Sequence, residues 1–288
     1  MKLGAVFPQT EIGNDPADLR RFAQTVESLG YESLAVYDHV LGVDPNRPAG
    51  WAGAYELKHE FHEIFVLFGY LAACTERLEL VSRVLVLPQR QAALVAKQAA
   101  EISVLSGGRI RLGLGVGWNQ VEMEGLGEPF TNRGRRFEEQ VAVMRALWST
   151  ASVKFHGEFH HIDGAGINPR PIGGNIPLWL GGRADAVLKR AARVADGFLP
   201  HLMPLDQIGP FMNRIAELLS DEGRSPEEFG IDVSVKVTTG ALDTALEVGR
   251  AWQAAGATHL TVNTLGTGRK SVDDHLDGLR AFREAWTG

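Results

Sequence analysis

Short apolar runs alternate with helical patterns along the whole chain. The first run, "KLGAVF" (residues 2–7), is typical of a strand, and apolar residues spaced three, four and three positions apart then mark one helix face between residues 19 and 29. Asp15 and Pro16 are suited to start this helix and Gly30 to end it. Further strand-like runs cover residues 33–40, 78–88, 109–115, 176–182, 196–201, 231–238 and 259–265.

These runs are almost continuously apolar, as expected for strands that are buried on both faces of a parallel sheet. Eight strands alternating with helical segments predict a (β/α)8 TIM barrel that occupies residues 1–288 as one α/β domain. An open, doubly wound sheet is the alternative. Two long irregular stretches, after the second strand (39–62) and after the fourth helix (149–175), are interpreted as insertions, and the second contains a predicted hairpin that turns at His156–Gly157.

The composition argues against several classes of binding partner and against a disulfide-stabilised fold. The net charge is −6 and the charges are mixed, which argues against a nucleic-acid partner and a membrane surface. The one cysteine, Cys74, provides neither a disulfide framework nor a thiolate metal site, and the apolar run that it ends is too short for a membrane span, which needs about 20 residues. Because the first residues also lack a signal-peptide pattern, we expect a cytoplasmic protein.

One stretch, "SGGRIRLGLGVGWN" (106–119), places Gly113, Gly115 and Gly117 at alternate positions near a strand end. Such glycines indicate a turn with positive φ, a bulge, or a ligand lying against the main chain. The spacing does not fit the G-x-G-x-x-G dinucleotide fingerprint. In a barrel, the carboxyl ends of the strands carry the active site, so we expect these glycines on the functional face.

The two strands before this one also carry polar residues. The pair Asp38–His39 can handle protons near neutral pH, or it can simply cap local backbone. Ser82-Arg83-Val84 places an arginine inside an apolar strand, where its guanidinium must either meet an anion or reach the rim.

Two later strands end in groups suited to an anion. Gly181-Gly182-Arg183 opens a predicted helix and can form a phosphate seat, or a plain strand-to-helix turn. Pro200 and His201 end the next strand and are expected to face the same mouth.

His59 and His62 lack the i, i+4 spacing of a metal-binding helix motif. The hairpin histidines His156, His160 and His161 could contact a metal only if the hairpin folded inward, and we expect no metal. Four aromatic residues lie in predicted loops, where they can wall an apolar pocket or pack the loops: Trp51, Tyr55, Trp118 and Phe130.

Several segments together resemble the luciferase-like monooxygenase superfamily and, within it, oxidoreductases that use the deazaflavin coenzyme F420. They are "YESLAVYDHV", "VLVLPQRQAALVAKQAAEISVLSGGRIRLGLGVGWN", "RGRRFEEQVAVMRALW", "FHGEFHHIDGAGINPRPI", "IPLWLGGRADAVLKRAARVADGFLP" and "AWQAAGATHLTV". The combination of "LSGGR…LGLGVGW" with "GINPRP…IPLWLGG" is specific to the superfamily. It discriminates much less well between members that use F420 and members that use FMN.

The resemblance implies a barrel with the tricyclic ring of the cofactor in its mouth. A bulge with a non-prolyl cis peptide bond, here at Arg83–Val84, would back the ring, and the strand glycines would let the main chain approach it. The cofactor-site residues so implied are Asp38, His39, Ser82, Arg83, Val84, Gly115, Val116, Gly117, Leu180, Gly181, Gly182, Arg183, Pro200 and His201.

One position departs from the pattern of the related sugar-phosphate dehydrogenases. Those enzymes place an acidic residue after the strand glycines, whereas this chain has Trp118, which suits a hydrophobic substrate wall together with Trp51. His39 is then the candidate for proton handling. Arginines placed by sequence to offer the anionic coenzyme a basic rim are Arg83, Arg90, Arg133, Arg170 and Arg183.

We therefore expect an oxidoreductase that moves a hydride between C5 of F420 and a small organic substrate. The alternatives are an FMN-dependent monooxygenase of the same scaffold, and a barrel that binds a cofactor without turnover. The resemblance also implies a homodimer.

Overall fold

A computed structural model describes residues 1–286. Its strands are β1 (Lys2–Val6), β2 (Ser33–Val36), β3 (Glu79–Val86), β4 (Ile110–Gly115), β5 (Val153–His156), β6 (His161–Ala165), β7 (Leu178–Gly182), β8 (Gly197–Pro200), β9 (Gly230–Lys236) and β10 (His259–Asn263). Eight of these are parallel neighbours in the order β1-β2-β3-β4-β7-β8-β9-β10, and β10 pairs with β1. The sheet is therefore a closed (β/α)8 barrel, as the sequence predicts, and the open sheet is wrong.

Helices surround the barrel. They are α1 (Pro16–Ser28), α2 (Ile64–Cys74), α3 (Ala92–Ser106), α4 (Gln120–Gly125), α5 (Arg133–Ser149), α6 (Asp185–Val194), α7 (Ile208–Asp221), α8 (Leu242–Ala254) and α9 (Val272–Ala285). Within residues 1–286, none of them is long and apolar enough to cross a membrane.

Local chemistry sets the ends of the predicted helices. The side chain of Asp15 accepts a hydrogen bond from the N–H of Ala17 at 2.8 Å, and this satisfies one of the donors at the start of α1. Gly107, with φ of 71°, ends α3 in the left-handed conformation that glycine adopts at low cost. The start of α1 lies where the sequence places it.

The predicted hairpin is present as β5 and β6, which pair antiparallel outside the barrel. His156 pairs with His161 across it, so the turn spans residues 157–160. The side chain of Glu139 on α5 accepts hydrogen bonds from three N–H groups of this turn and so attaches the hairpin to the barrel.

Strand β2 ends four residues earlier than predicted. The carbonyl of Tyr37 accepts a hydrogen bond from the side chain of Gln9 at 2.7 Å instead of continuing the ladder. Asp38 and His39 therefore lie on the loop that leaves the carboxyl end of the barrel, where their side chains can turn toward its mouth.

Candidate functional site

A cavity of about 700 Å³ opens at the carboxyl ends of the barrel strands. Its lining includes these predicted site residues: Asp38, His39, Arg83, Val84, Gly115, Val116, Gly117, Trp118, Gly181, Gly182, Arg183, Pro200 and His201. Sequence reasoning did not assign the following lining residues to the site: Tyr37, Val86, Leu199, Leu202, Ser234 and Asn263. The closed barrel gathers these positions because parallel strands all end at the same rim.

Three predicted site residues lie outside this lining. Ser82 is fully buried and its hydroxyl donates to the carbonyl of Gly113 at 2.8 Å, so it joins β3 to β4. Leu180 packs in the hydrophobic core. Trp51 stands behind Trp118, with ring centroids 5.8 Å apart and ring planes 27° from parallel. The sequence-based assignment of these three residues to cofactor or substrate contact is therefore corrected: they support the cavity wall from outside the lining.

The floor of the cavity is the bulge in β3. The pairing of β3 with β4 shifts register between Ser82 and Leu85, and the Arg83–Val84 peptide bond is cis, as the resemblance implies. A β-carbon on Gly115 would lie 2.5 Å from Cγ2 of Val84, and one on Gly181 would lie 2.8 Å from its Cγ1. The two glycines thus make room for the side chain of Val84, which lies between β4 and β7 and faces the cavity.

The glycines at the end of β4 make room for side chains of the neighbouring strand β3. At Gly115 the nearest group is the side chain of Val84, and at Gly117 a β-carbon would lie 2.6 Å from Cγ1 of Val86. Gly117 also has φ of 79°, a conformation that strains other residues, which confirms the turn interpretation at that position. Gly115 and Gly117 therefore leave space for the side chains of Val84 and Val86 on β3, and these side chains shape the cavity.

His39 is paired with a carboxylate that sequence reasoning missed. Its Nδ1 lies 2.8 Å from Oε2 of Glu122, and both side chains are buried. Because a carboxylate only accepts, Nδ1–H donates to it, which leaves Nε2 as the nitrogen without a hydrogen bond within residues 1–286. His39 also lines the cavity, so this nitrogen is the candidate atom for proton handling.

Glu122 is held from several sides. Oε1 accepts from the backbone N–H of Val40 and Leu41 and from the side chain of Gln89, while Nδ2 of Asn119 donates to Oε2. Burial by itself would raise the pKa of Glu122, but the hydrogen bonds from His39 and from the Val40 N–H outweigh it and leave the pKa below its usual value. Glu122 is therefore a carboxylate at neutral pH.

The short helix α4 brings Glu122 to this place. Asn119 caps it by accepting the N–H of Glu122 at 3.2 Å, and an Asn followed three residues later by Glu is a common start signal for a helix. That signal was available in "NQVE" (119–122). The acidic partner absent at position 118 is thus replaced by one four residues later.

Asp38 is engaged in structural contacts. Its Oδ1 accepts from Arg90 at 2.7 Å and its Oδ2 from the N–H of Val86 at 3.0 Å, and Arg90 also pairs with Glu63 at 2.9 Å. Burial raises the pKa of Asp38, while Arg90 and the Val86 N–H act in the opposite direction. These contacts fix the loop that carries His39 against β3.

Most of the arginines expected to form a basic rim are used elsewhere. Arg83 pairs with Asp232 inside the barrel at 3.0 Å, which agrees with the interpretation that its guanidinium meets an anion. Arg90 is held by Asp38 and Glu63. Arg133 donates to the carbonyl of Gly117 and stacks on Phe130, and Arg170 donates to the carbonyl of Ser149. The expectation of a free basic rim is therefore wrong for Arg83 and Arg90, which are paired with carboxylates, and for Arg133, which is bonded to carbonyl groups. Arg170 is exposed but lies outside the cavity lining.

Arg183 is the exposed cation at the rim. Its Nη2 lies about 3 Å from both ring nitrogens of His201. Burial, followed by the charges of Arg183 and Arg83, lowers the pKa of His201, so its ring is neutral at pH 7. Helix α6 begins two residues after Arg183 without a side-chain cap, which leaves backbone donors near this corner of the cavity.

Sequence comparison adds the family. The sequence profile of the luciferase-like monooxygenase family matches residues 1–281. The chain belongs to this family. Among its relatives is an uncharacterised protein of Mycobacterium tuberculosis, 36% identical over 215 residues, which cover 73% of this chain and 74% of that protein.

Two luciferase-like relatives carry names that specify different cofactors. An F420-dependent glucose-6-phosphate dehydrogenase of Amycolatopsis mediterranei is 31% identical over 207 residues, covering 69% of this chain and 57% of that protein. An FMNH2-dependent dimethylsulfone monooxygenase of Pseudomonas fluorescens is 31% identical over 182 residues, covering 62% and 46%. The family thus supports oxidoreductase or monooxygenase chemistry, and its relatives use both cofactors.

Proposed function

We propose that the chain is an oxidoreductase that binds coenzyme F420 in the cavity and transfers a hydride between C5 of the deazaflavin and a small organic substrate. The observation that carries the proposal is the buried His39–Glu122 pair in the cavity wall. Oxidation or reduction at an oxygen-bearing carbon moves a proton as well as a hydride, and a histidine held in one tautomer can take or give that proton.

The residues present fit a planar cofactor. Val84 forms an apolar floor between Gly115 and Gly181, where β-carbons would collide with it. The volume of about 700 Å³ lies within the roughly 300–1,000 Å³ of known small-molecule sites. Arg183 and the uncapped start of α6 would hold a phosphate group. When bound, F420 supplies a carbon that accepts or donates a hydride.

The chain itself would orient the substrate and handle the proton. Glu122 fixes the tautomer and orientation of His39, so that Nε2 can accept a proton from a hydroxyl group or return one to a carbonyl oxygen. The rings of Tyr55 and Trp118 flank His39 and limit the access of water to it. A less solvated site strengthens each of these electrostatic interactions.

An FMN-dependent monooxygenase is the second candidate, favoured by the 31% identity to the dimethylsulfone monooxygenase. Parallel calorimetric titrations of the purified protein with F420 and FMN, under identical conditions, test the choice. We expect micromolar affinity for F420 and binding of FMN at least tenfold weaker. Micromolar affinity for FMN with no binding of F420 would overturn the proposal in favour of the monooxygenase.

A barrel that binds cofactor without turnover is tested by His39→Ala. We expect this variant to keep its affinity for F420 within about threefold and to lose F420-dependent turnover by on the order of 10²-fold or more. Unchanged affinity together with no turnover by either protein, across alcohols and carbonyl compounds, would favour the non-catalytic barrel.

A further inference from the structure

We propose, on the basis of the function proposed above, that the part of the cavity beside His39 takes a neutral, largely apolar molecule with one hydroxyl or carbonyl group. A sugar phosphate or another anion is disfavoured at this place. The proposal rests on the aromatic surroundings of His39, the fixed position of those rings, and the pairing of the nearby arginines Arg83 and Arg90 with carboxylates.

Three aromatic rings surround His39. The ring centroids of Tyr55, Phe61 and Trp118 lie 4.7, 5.0 and 5.8 Å from that of His39. Trp118 is 49% exposed, so much of its face is available to a ligand. An apolar molecule gains free energy by covering such a surface, whereas a strongly hydrated anion loses its hydration there without a partner.

The loop between β2 and α2 builds this wall. Trp51 stacks on Trp118 and its indole N–H donates to the carbonyl of Tyr55 at 3.1 Å. A β-carbon on Gly53 would lie 2.1 Å from Cζ2 of Trp51, so the indole is packed directly on that glycine. The aromatic wall is thus preorganised by contacts within the chain, which lowers the entropy cost of binding a ligand against it.

The arginines that line the cavity within residues 1–286 are Arg83 and Arg183. Arg90 is held by Asp38 and Glu63, and Arg83 by Asp232. Arg183 is associated with His201, at the rim by β7 and β8. A phosphate next to His39 would therefore face aromatic rings and the carboxylate of Glu122 rather than a guanidinium.

A positively charged substrate is also disfavoured. The carboxylate oxygens of Glu122 are taken up by His39, by backbone N–H groups and by side-chain amides, so they offer little to a further cation. The polar side-chain atoms of this wall that make no hydrogen bond within residues 1–286 include Nε2 of His39 and the hydroxyl of Tyr55. Both are uncharged groups that suit an alcohol or carbonyl oxygen, which defines the substrate class as a neutral alcohol or carbonyl compound.

The test is direct binding of ring-matched probes: cyclohexanol, cyclohexanone, cyclohexanecarboxylate, cyclohexylammonium and glucose 6-phosphate. Each is titrated by ligand-observed NMR into the protein alone and into the protein mixed with F420. We expect the two neutral probes to bind at least tenfold more tightly than either charged ring, and glucose 6-phosphate not to bind beside His39. Tighter binding of a charged probe, or no binding of the neutral probes with F420 present, would overturn the inference.

Variants locate the binding. Trp118→Ala should weaken the neutral probes about tenfold, and Gly53→Ala should weaken them because its new methyl group displaces the indole of Trp51. Lys154→Ala, on the exposed hairpin, is the control and should change nothing. Equal affinity in all three variants would show that the probes bind elsewhere and would contradict the inference.

The two proposals can fail separately. If the neutral probes bind and lose affinity in Trp118→Ala while F420 does not bind, the cofactor assignment fails and the substrate class stands. If F420 binds and the charged probes are preferred, the cofactor assignment stands and the substrate class fails.

Discussion

His39 owes its available nitrogen to a carboxylate 83 residues away in the sequence. Without Glu122, both ring tautomers would be accessible, and the nitrogen facing the cavity could carry a proton or not. With Glu122 ionised, the proton is held on Nδ1 and Nε2 is an acceptor. In this state His39 can accept a proton at Nε2 but cannot donate one from it.

Replacing Glu122 with Gln should separate this positioning role from folding. The amide keeps the volume and one acceptor oxygen, but it no longer attracts the Nδ1 proton with a full charge. We expect turnover to fall on the order of 10²-fold with little change in cofactor affinity, and ¹⁵N NMR of the histidines to show a shifted tautomer ratio for His39.

Glu124→Gln is the matched control on the same helix, because within residues 1–286 the side chain of Glu124 hydrogen-bonds only the exposed Gln120. It should behave as the parent protein. Equal turnover and an unchanged His39 spectrum in Glu122→Gln would rule out the positioning role.

The lowered pKa of Glu122 also predicts a pH dependence of stability. The folded pKa lies below the ordinary 4.5, so the carboxylate stabilises the folded state above about pH 4.5, and this contribution is lost as the pH falls through the lowered pKa. We expect the free energy of unfolding of the parent to exceed that of Glu122→Gln by a constant amount near neutral pH, and the difference to shrink below pH 4.5. A difference that does not change between pH 7 and pH 3.5, measured by urea unfolding, would contradict this.

The bulge in β3 and the glycines of β4 and β7 form one unit. Val84 occupies the space that β-carbons at Gly115 and Gly181 would need, so the three positions are coupled through a single side chain. The shape of the cavity floor therefore depends on a fit between strands rather than on any one residue.

Gly115→Ala should disturb this floor, because its β-carbon would lie 2.5 Å from Cγ2 of Val84. We expect cofactor affinity to fall at least tenfold. The double variant Gly115→Ala/Val84→Ala removes the methyl group in conflict and should recover part of that loss. If the two changes are additive in a calorimetric double-mutant cycle, the packing explanation is wrong.

A charged cluster inside the barrel joins strands that are not neighbours in sequence. Asp232 on β9 pairs with Arg83 at 3.0 Å and Arg111 at 3.1 Å, and accepts the hydroxyl of Thr261 at 2.7 Å. Burial would raise the pKa of Asp232, but Arg83 and Arg111 lower it below its usual value. Strand β9 has only two residue pairs with β8, so this cluster is a main connection of β9 to the other side of the barrel.

Asp232→Ala leaves two buried guanidinium groups without this carboxylate. Breaking a buried ion pair in this way typically costs about 3–5 kcal/mol, and we expect a loss of that size in urea unfolding. The control is Asp163→Ala, since Asp163 is exposed and 3.9 Å from Lys154, and it should change the stability by less than about 0.5 kcal/mol. Similar losses in both variants would show that burial does not govern the effect.

The architecture could be predicted from the sequence because its signals are local. Apolar runs and caps such as Asp15 and Gly107 depend on neighbours within a few residues. The carboxyl end of β2 and the helix α4 were missed, because the side chain of Gln9, in the loop after β1, bonds the chain where β2 ends, and a single capping residue starts α4. Short elements carry too few periodic positions to be distinguished from loops.

The sequence by itself determined the barrel, the rim at which its polar residues gather, and the resemblance that points to a deazaflavin or flavin. Only the tertiary structure decided how those residues are used. It paired His39 with Glu122, directed Arg83 and Arg90 to internal carboxylates, and set Val84 between Gly115 and Gly181. The physical reason is that hydrogen bonds, ion pairs and steric fit act over a few ångströms in space, whatever the distance along the chain.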